Sequence, residues 1–143
     1  MDTVNVAVVG ASGAVGEAMV EILAQRKFPV GELHLLASER STGRRMAFGQ
    51  RHLRVENLAG FDFSRVQLAL FSAGGGVSAE HAPRAAAAGC VVIDNTSHFR
   101  RDADIPLVVP EVNPQALAGF RARNIVANPN CSTIQMLVAL KPL

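Results

Sequence analysis

Two cysteines differ in their surroundings, and Cys131 is the one whose neighbours favour a nucleophile. It follows the turn Asn128-Pro129-Asn130 and precedes an apolar segment, Ser132–Leu140, that we predict as a helix. Free N–H groups and the dipole at a helix N-terminus stabilise a thiolate, which is the reactive form of a thiol. Position alone leaves an ordinary buried thiol equally open. That is our interpretation of Cys90, which lies next to Gly89 at a predicted strand.

Three glycines near the N-terminus, Gly10, Gly13 and Gly16, have a spacing that favours dinucleotide binding. Gly-x-x-Gly-x-x-Gly differs from the commonest Gly-x-Gly-x-x-Gly spacing and is a weak signal by itself. Here a β-branched run, Val4–Val9, leads into it and a helical apolar pattern follows it, which is the context that such a turn requires. Glycines let the backbone approach a pyrophosphate, which then meets free N–H groups at the helix N-terminus. The alternative is a tight turn that binds nothing.

The loop after the second predicted strand indicates which cofactor such a site prefers. An acidic residue at this place holds the ribose 2′-hydroxyl of NAD. The sequence here is Ser38-Glu39-Arg40-Ser41-Thr42. Arg40 with its flanking hydroxyls, from Ser38 and Ser41, suits the 2′-phosphate of NADP, because a guanidinium makes charge-assisted and often bidentate bonds to phosphate. We therefore predict NADP, while Glu39 leaves NAD open and a solvated polar loop is the functionless alternative.

A polar loop after the predicted strand Cys90–Asp94 holds two further candidates, His98 and Arg100. Ligands collect at the carboxyl ends of strands in open α/β sheets, so Arg100 can clamp an anionic group. The alternative for Arg100 is a surface arginine beside Asp102 and Asp104. His98 is a candidate base for Cys131, although a loop histidine is more often merely exposed. The other histidines show no metal-ligand spacing, and we expect no metal site.

Strand and helix patterns alternate along the chain, which predicts an α/β fold: a Rossmann-like, doubly wound, mostly parallel sheet with helices on both faces. We expect Val15, Met19, Ile22 and Leu23 to face the core from the first helix, and Pro83 to start or kink the second. The predicted strands are Val4–Val9, Leu33–Ala37, Met46–Phe48, Leu53–Glu56, Val66–Phe71, Cys90–Asp94 and Ile125–Ala127. The later predicted helices are Ser78–Ala88, Pro114–Ala118 and Ser132–Leu140.

Composition excludes several classes of protein. The chain has 143 residues, enough for one domain, with 49% hydrophobic and 18% charged residues and a net charge of +2. It has no Trp or Tyr, no basic stripe, no apolar run long enough to span a membrane and only 2 Cys. We therefore expect no disulfide framework, no nucleic-acid partner and no membrane partner, and place the protein in the cytoplasm.

Taken together, these motifs resemble aspartate-β-semialdehyde dehydrogenase in its bacterial form. The resemblance runs from Val6 to Leu140, and the segment NPNCSTIQMLVAL at Asn128–Leu140 is its most specific part. The other matching stretches are Val8–Gly16, Ser38–Gly43, Phe71–Gly75, Val92–Arg100 and Val108–Asn113.

The resemblance implies an activity and a set of site residues. Enzymes of this family reduce L-aspartyl 4-phosphate with NADPH to L-aspartate 4-semialdehyde and phosphate, through an acyl-thioester and then a thiohemiacetal on the nucleophilic cysteine. This reaction feeds lysine, methionine, threonine and diaminopimelate synthesis. Cys131 matches the nucleophile, and Arg100 and Asn130 match residues that hold the substrate's phosphate. The matching cofactor positions are Ser12, Gly13, Ala14 and Val15 at the phosphates, Arg40 and Ser41 at the 2′-phosphate, and Ser72, Ala73, Gly74 and Asn95 along the cleft.

The resemblance also implies what these residues do not include. The family's general-base histidine, its glutamine near the thioester and further substrate-binding residues lie beyond residue 143, and His98 matches a variable position. Residues 1–127 then form an NADP-binding domain, and 128–143 the start of a catalytic and dimerisation domain of a homodimer. An apolar helix that is followed only by Lys141-Pro142-Leu143 predicts a fragment. A natural end with the last helix docked on the sheet is the alternative.

Other functions stay open at this point. N-acetyl-γ-glutamyl-phosphate reductase uses the same thioester chemistry on a longer substrate, but the Ser38–Gly43 loop and NPNCST argue against it. Glyceraldehyde-3-phosphate dehydrogenase has a different cysteine motif, and a short-chain dehydrogenase needs a catalytic Tyr that this chain lacks. A non-catalytic NADP-binding module is the competing hypothesis from another class.

Overall fold

A computed structural model describes residues 2–143, and within them seven strands alternate with three α-helices. The strands are β1 Val4–Val9, β2 Val30–Ala37, β3 Arg45–Phe48, β4 Arg51–Asn57, β5 Leu68–Phe71, β6 Val91–Asp94 and β7 Ile125–Ala127. The α-helices are α1 Ala14–Gln25, α2 Gly75–Ala87 and α3 Cys131–Leu140. Short 3-10 helices cover Glu39–Ser41, Leu58–Gly60, Phe63–Arg65 and Pro114–Ala122.

The strands form one sheet in the order β3-β4-β2-β1-β5-β6-β7. All neighbours pair in parallel except β3 and β4, which form an antiparallel hairpin at one edge. The chain winds outward from β1 on both sides, so the order reverses between β1 and β5. In open α/β sheets the carboxyl ends of the strands at such a reversal form a crevice that binds ligands.

Helices cover both faces of the sheet, as the sequence predicts. Alternate residues of β1 enter different cores: Ala7 and Val9 pack with Ala82 of α2, and Val6 and Val8 pack with Val20 of α1. Strand β1 is thus buried on both faces, which explains its continuous β-branched run. The predicted Rossmann-like, doubly wound fold is confirmed.

The prediction for the core face of α1 is partly wrong. Val15 and Ile22 are 49% and 47% exposed, and the buried residues of α1 are Gly16 and Val20. Helical periodicity alone permits either the face with Val15 and Ile22 or the face with Gly16 and Val20 to be buried. The second face is buried because Gly16 allows α1 to approach the turn after β1 closely.

Pro83 does not start the second helix, as one of the two expectations for it had it, because it lies inside α2. Its ring is on the exposed face, and Ala79, whose carbonyl would have accepted the missing N–H, is exposed as well. Water can therefore reach that carbonyl. Ala82 and Ala85 on the opposite face are fully buried and hold the helix against the sheet.

The segment around Val108 and Val109 lies outside the seven strands but contacts the end of β7. A single bridge joins Leu107 to Ala127, with hydrogen bonds from Val108 N–H to the Ala127 carbonyl (2.9 Å) and from Ala127 N–H to the Pro106 carbonyl (3.0 Å). Pro106 and Pro110 flank the segment and supply no donor for a ladder.

A 3-10 helix at Pro114–Ala122 takes the place of the shorter predicted helix at 114–118.

Candidate functional site

A cleft of about 600 Å³ opens at the carboxyl edge of the sheet, between β1 and β5. It is lined by the carboxyl ends of four strands and by the segments that follow them. The lining residues are Gly10, Ser12 and Gly13 after β1; Ala37, Ser38 and Glu39 after β2; Asn57, Leu58 and Ala59 after β4; and Ser72, Ala73, Val77 and His81 after β5. The sheet therefore brings the predicted glycine turn, the predicted 2′-phosphate loop and the Ser72–Gly74 stretch to one site.

The three glycines of the motif differ in what an added side chain would contact. Gly10 has φ of +87°, and a Cβ there would lie 2.9 Å from the Ser72 carbonyl carbon, so the turn abuts the β5 loop. A Cβ on Gly16 would overlap the Gly10 carbonyl oxygen, so α1 packs directly on the turn. A Cβ on Gly13 would have its nearest neighbour at an ordinary 3.5 Å. Packing thus explains Gly10 and Gly16, whereas Gly13 leaves open backbone on the cleft.

Two helices begin at the cleft without a side-chain cap. Gly13 precedes α1, whose first internal bond is from Glu17 N–H to the Gly13 carbonyl (2.9 Å). The N–H groups at positions 14–16 therefore have no partner within the helix. Gly74, with φ of +96°, precedes α2 in the same manner. Unpaired N–H groups and two helix dipoles make this edge suited to an anion.

The loop after β2 presents both signs of charge. It forms the 3-10 turn Glu39–Ser41, closed by bonds from Ser41 N–H to the Ser38 carbonyl (3.0 Å) and from Thr42 N–H to the Glu39 carbonyl (3.1 Å). Ser38 and Glu39 line the cleft, Arg40 is exposed beside them and Ser41 is half-buried. Both the residue that favours NAD and the residue that favours NADP are thus in place.

His81 lines the cleft, and no sequence motif marks it as a site residue. Arg84 Nη2 donates to His81 Nδ1 at 3.0 Å, and since a guanidinium can only donate, the neutral ring carries its proton on Nε2. Partial burial is the main cause that lowers the pKa of His81, with a smaller contribution from Arg84 against an opposing one from Glu80. At neutral pH His81 is therefore an uncharged part of the cleft wall.

Asp94, at the end of β6, ties α2 to the next loop. Its side chain is fully buried and accepts three hydrogen bonds: from Ser78 Oγ (2.8 Å), Thr96 N–H (3.1 Å) and Thr96 Oγ1 (2.8 Å). These donors offset the cost of burying a carboxylate. Asn95, one of the predicted cofactor residues, lies between two residues that this network fixes. The sequence signal for Asp94 is its position as an acidic residue at the end of a buried strand.

Arg100 joins the β6 loop to the turn before α3. Its Nε donates to the Asn128 carbonyl at 2.8 Å and its Nη2 to the Asn95 carbonyl at 3.3 Å, while the Asn128 side-chain amide donates to Asn95 Oδ1. Arg123, and not Arg100, is the residue that pairs with both Asp102 and Asp104, at 3.2 Å from each, and Arg100 is half-buried. Two of the five guanidinium donors of Arg100 are used, which leaves others for an anion.

Cys131 and Cys90 have opposite environments. Cys131 is exposed and is the first residue of α3. Asn130 caps that helix, with its Oδ1 accepting from Ser132 N–H at 2.9 Å. Cys90 is fully buried, and burial raises the pKa of its thiol to about 12. The structure thus presents one thiol at a helix start and encloses the other as a neutral core group.

The cleft and Cys131 share one edge of the sheet. Strand β7, which leads into α3, is the third from β1, a separation of about 14 Å at the usual interstrand spacing. Arg100 and Asn95 follow β6 and lie between them. His98 also follows β6 but lies beside the start of α2, with its Cβ 3.9 Å from the place of a Cβ on Gly75.

Residues 2–143 contain neither a metal-ligand cluster nor a helix that could cross a membrane. No cluster of three or more His, Cys, Asp or Glu side chains in this range could hold a metal ion. None of the helices in the same range has the length and apolarity needed to cross a membrane.

The comparisons with known proteins agree on one family. The family model described as "Semialdehyde dehydrogenase, NAD binding domain" matches residues 5–120. Aspartate-semialdehyde dehydrogenase 2 of Vibrio cholerae serotype O1 is 68% identical over 139 residues, which cover 97% of this chain and 41% of that protein. The chain spans about two-fifths of the length of the curated relatives it matches.

Solved structures agree with this result. Aspartate semialdehyde dehydrogenase II from Vibrio cholerae, complexed with ASA, has a TM-score of 0.97 and 67% identity, covering 99% of this chain and 46% of that one. Aspartate semialdehyde dehydrogenase with NADP from Candida albicans has a TM-score of 0.79 at 24% identity, with the same coverage of 99% and 46%. The second similarity is one of fold alone.

Proposed function

Because this chain belongs to the family of semialdehyde dehydrogenase NAD-binding domains, we propose that it is the cofactor-binding part of an NADP-dependent aspartate-semialdehyde dehydrogenase, together with the turn and helix of its nucleophile. The proposed reaction converts L-aspartyl 4-phosphate to L-aspartate 4-semialdehyde and phosphate. One observation carries the proposal: a dinucleotide-type cleft and an exposed cysteine at a helix start share one edge of the sheet.

The residues present fit NADP. The open backbone at Gly13 and the uncapped start of α1 would hold the pyrophosphate. Arg40, with the hydroxyls of Ser38 and Ser41, would hold the 2′-phosphate. Further contacts would come from the cleft-edge positions Gly10, Ser12, Ala14, Val15, Gly16, Ser72, Ala73, Gly74 and Asn95. When bound, NADPH supplies the hydride that reduces the acyl group.

Cys131 would form the covalent bond to the substrate. Its thiolate sulfur attacks the acyl carbon of aspartyl phosphate, a carbon–sulfur bond forms, and the carbon–oxygen bond to phosphate breaks with phosphate as leaving group. The guanidinium donors that Arg100 has left, and the amide N–H₂ of Asn130, would hold that phosphate. Since Arg100 also ties the β6 loop to the Cys131 turn, it would keep the phosphate site and the nucleophile in register.

Residues 1–127 would form the cofactor domain and 128–143 the start of a catalytic part. The exposure of Met136, Val138 and Leu140 (54%, 41% and 50%) supports this division, because a helix with this much apolar surface fits a partner surface. In an enzyme of the relatives' length we propose a cytoplasmic homodimer that acts on a small molecule in lysine, methionine, threonine and diaminopimelate synthesis, as the family resemblance implies, with no nucleic-acid partner.

A half-reaction tests this function directly. The 143-residue chain is incubated with L-aspartyl 4-phosphate without NADPH, and the intact and digested masses are measured. We expect an acyl adduct on Cys131 that the Cys131→Ala variant lacks. Cofactor binding without any adduct would favour the non-catalytic module, and an adduct on Cys90 alone would contradict the role of Cys131.

A further inference from the structure

Arg44 connects the loop after β2 to the glycine turn. Its Nη1 donates to the Ser12 carbonyl oxygen at 3.2 Å, and its Nη2 donates to Glu17 Oε1 at 2.7 Å. Ser12 lines the cleft, and Glu17 is the acidic residue in the first turn of α1. One guanidinium therefore holds a backbone carbonyl of the turn and the carboxylate nearest the start of the helix.

The backbone that carries Arg44 is anchored to the sheet. Gly43 N–H donates to the Val55 carbonyl at 2.8 Å, and Val55 N–H donates to the Arg44 carbonyl at 2.8 Å. Val55 belongs to β4 and is buried. Arg44 thus reaches α1 from a fixed position, so its two contacts can hold the turn in place.

The ion pair between Arg44 and Glu17 has an electrostatic consequence for anion binding. Glu17 puts a negative charge in the first turn of α1, and that charge opposes the binding of a phosphate group at the start of the helix. Arg44 neutralises that carboxylate. The two side chains are 51% and 47% exposed, so their pairing adds little to the stability of the fold. Its effect should therefore appear in ligand affinity.

We propose that Arg44 is a positioning residue for the nucleotide: it fixes the Ser12 carbonyl and neutralises Glu17, so that the glycine turn and the start of α1 accept the pyrophosphate. This inference rests on the proposed function. NADH and NADPH share the pyrophosphate, so Arg44 acts equally on both. Arg40, in contrast, acts only on the 2′-phosphate of NADPH.

The test measures the dissociation constants of NADPH and NADH for the parent chain and four variants. In Arg44→Ala we expect both affinities to fall by about three- to tenfold with their ratio kept, because one hydrogen bond and one neutralising charge are lost. The double variant Glu17→Gln/Arg44→Ala should recover part of the loss, and Glu17→Gln alone should bind nearly as the parent does. Arg45→Ala removes an exposed arginine of the same hairpin as a control and should change neither affinity.

Thermal unfolding of each variant separates positioning from a loss of fold. Unchanged affinities in Arg44→Ala, a loss confined to NADPH, a loss that only accompanies a lower unfolding midpoint, or no recovery in the double variant would each overturn the inference. A parent chain that binds neither nucleotide would overturn the proposed function and this inference together. A parent that binds both, with an Arg44→Ala variant that binds equally well, would overturn the inference alone.

Discussion

Arg40→Ala should remove most of the preference of this chain for NADPH over NADH. Arg40 is exposed in the Glu39–Ser41 turn, directly after a residue that lines the cleft, so its guanidinium can reach a 2′-phosphate at the cleft mouth. NADH has a hydroxyl at that position. The substitution should therefore weaken NADPH binding and leave NADH binding nearly unchanged.

The expected loss of NADPH affinity follows from the strength of a charge-assisted hydrogen bond and from the exposure of the Arg40 side chain. Hydrogen bonds to charged groups contribute about 1.5–3 kcal/mol, which is roughly ten- to a hundredfold in affinity at about 1.36 kcal/mol per tenfold. Because Arg40 is exposed, its guanidinium is hydrated and screened before binding. We expect the lower part of this range, about ten- to thirtyfold.

Fluorescence titration measures both affinities without interference, since the chain has no Trp or Tyr. Arg26→Ala is the matched control, because Arg26 is an exposed arginine that follows the opposite end of α1 and its loss changes the net charge equally. Equal affinities for the two cofactors in the parent chain would refute the reasoning. So would an NADH preference that Glu39→Gln abolishes, because Glu39 would then hold a ribose hydroxyl.

Three further outcomes follow from the geometry of the site. Cys131 should react with iodoacetamide before Cys90, as peptide masses after brief treatment will show, because Cys90 is buried and its pKa is raised to about 12; faster labelling of Cys90 in the folded chain would contradict the assignment. Gly16→Ala should lower the free energy of unfolding by about 1–3 kcal/mol, because its Cβ overlaps the Gly10 carbonyl. Gly13→Ala should unfold like the parent chain but bind NADPH more weakly, and a Gly13→Ala variant with full affinity would show that no ligand approaches that backbone.

Local sequence patterns were enough to predict the secondary-structure elements whose residues strongly favour one conformation. Val4–Val9 forms the predicted strand because its β-branched side chains fit a strand buried on both faces. The expectation that Pro83 starts the second helix is wrong because the outcome depends on tertiary context. A helix packed through Ala82 and Ala85 tolerates an exposed proline.

In the candidate site, too, some residues could be predicted from local sequence and others could not. The glycine turn and the Ser38–Thr42 loop could be identified because strand–turn–helix order places them at one edge of the sheet. Arg44 and His81 could not, because their roles depend on long-range contacts: Arg44 with Ser12 and Glu17, and His81 with the cleft. No local pattern encodes such contacts.

The most direct test of the central claim is an NMR titration of the isotopically labelled chain with NADPH. The backbone N–H signals of Ala14, Val15 and Gly16 report the start of α1, and those of Arg26 and Lys27 report the region beyond its far end. We expect the first group to shift with saturable, one-to-one binding while the second stays in place. Shifts that are largest at Arg26 and Lys27, or no shift at positions 14–16 on saturation, would contradict nucleotide binding in this cleft.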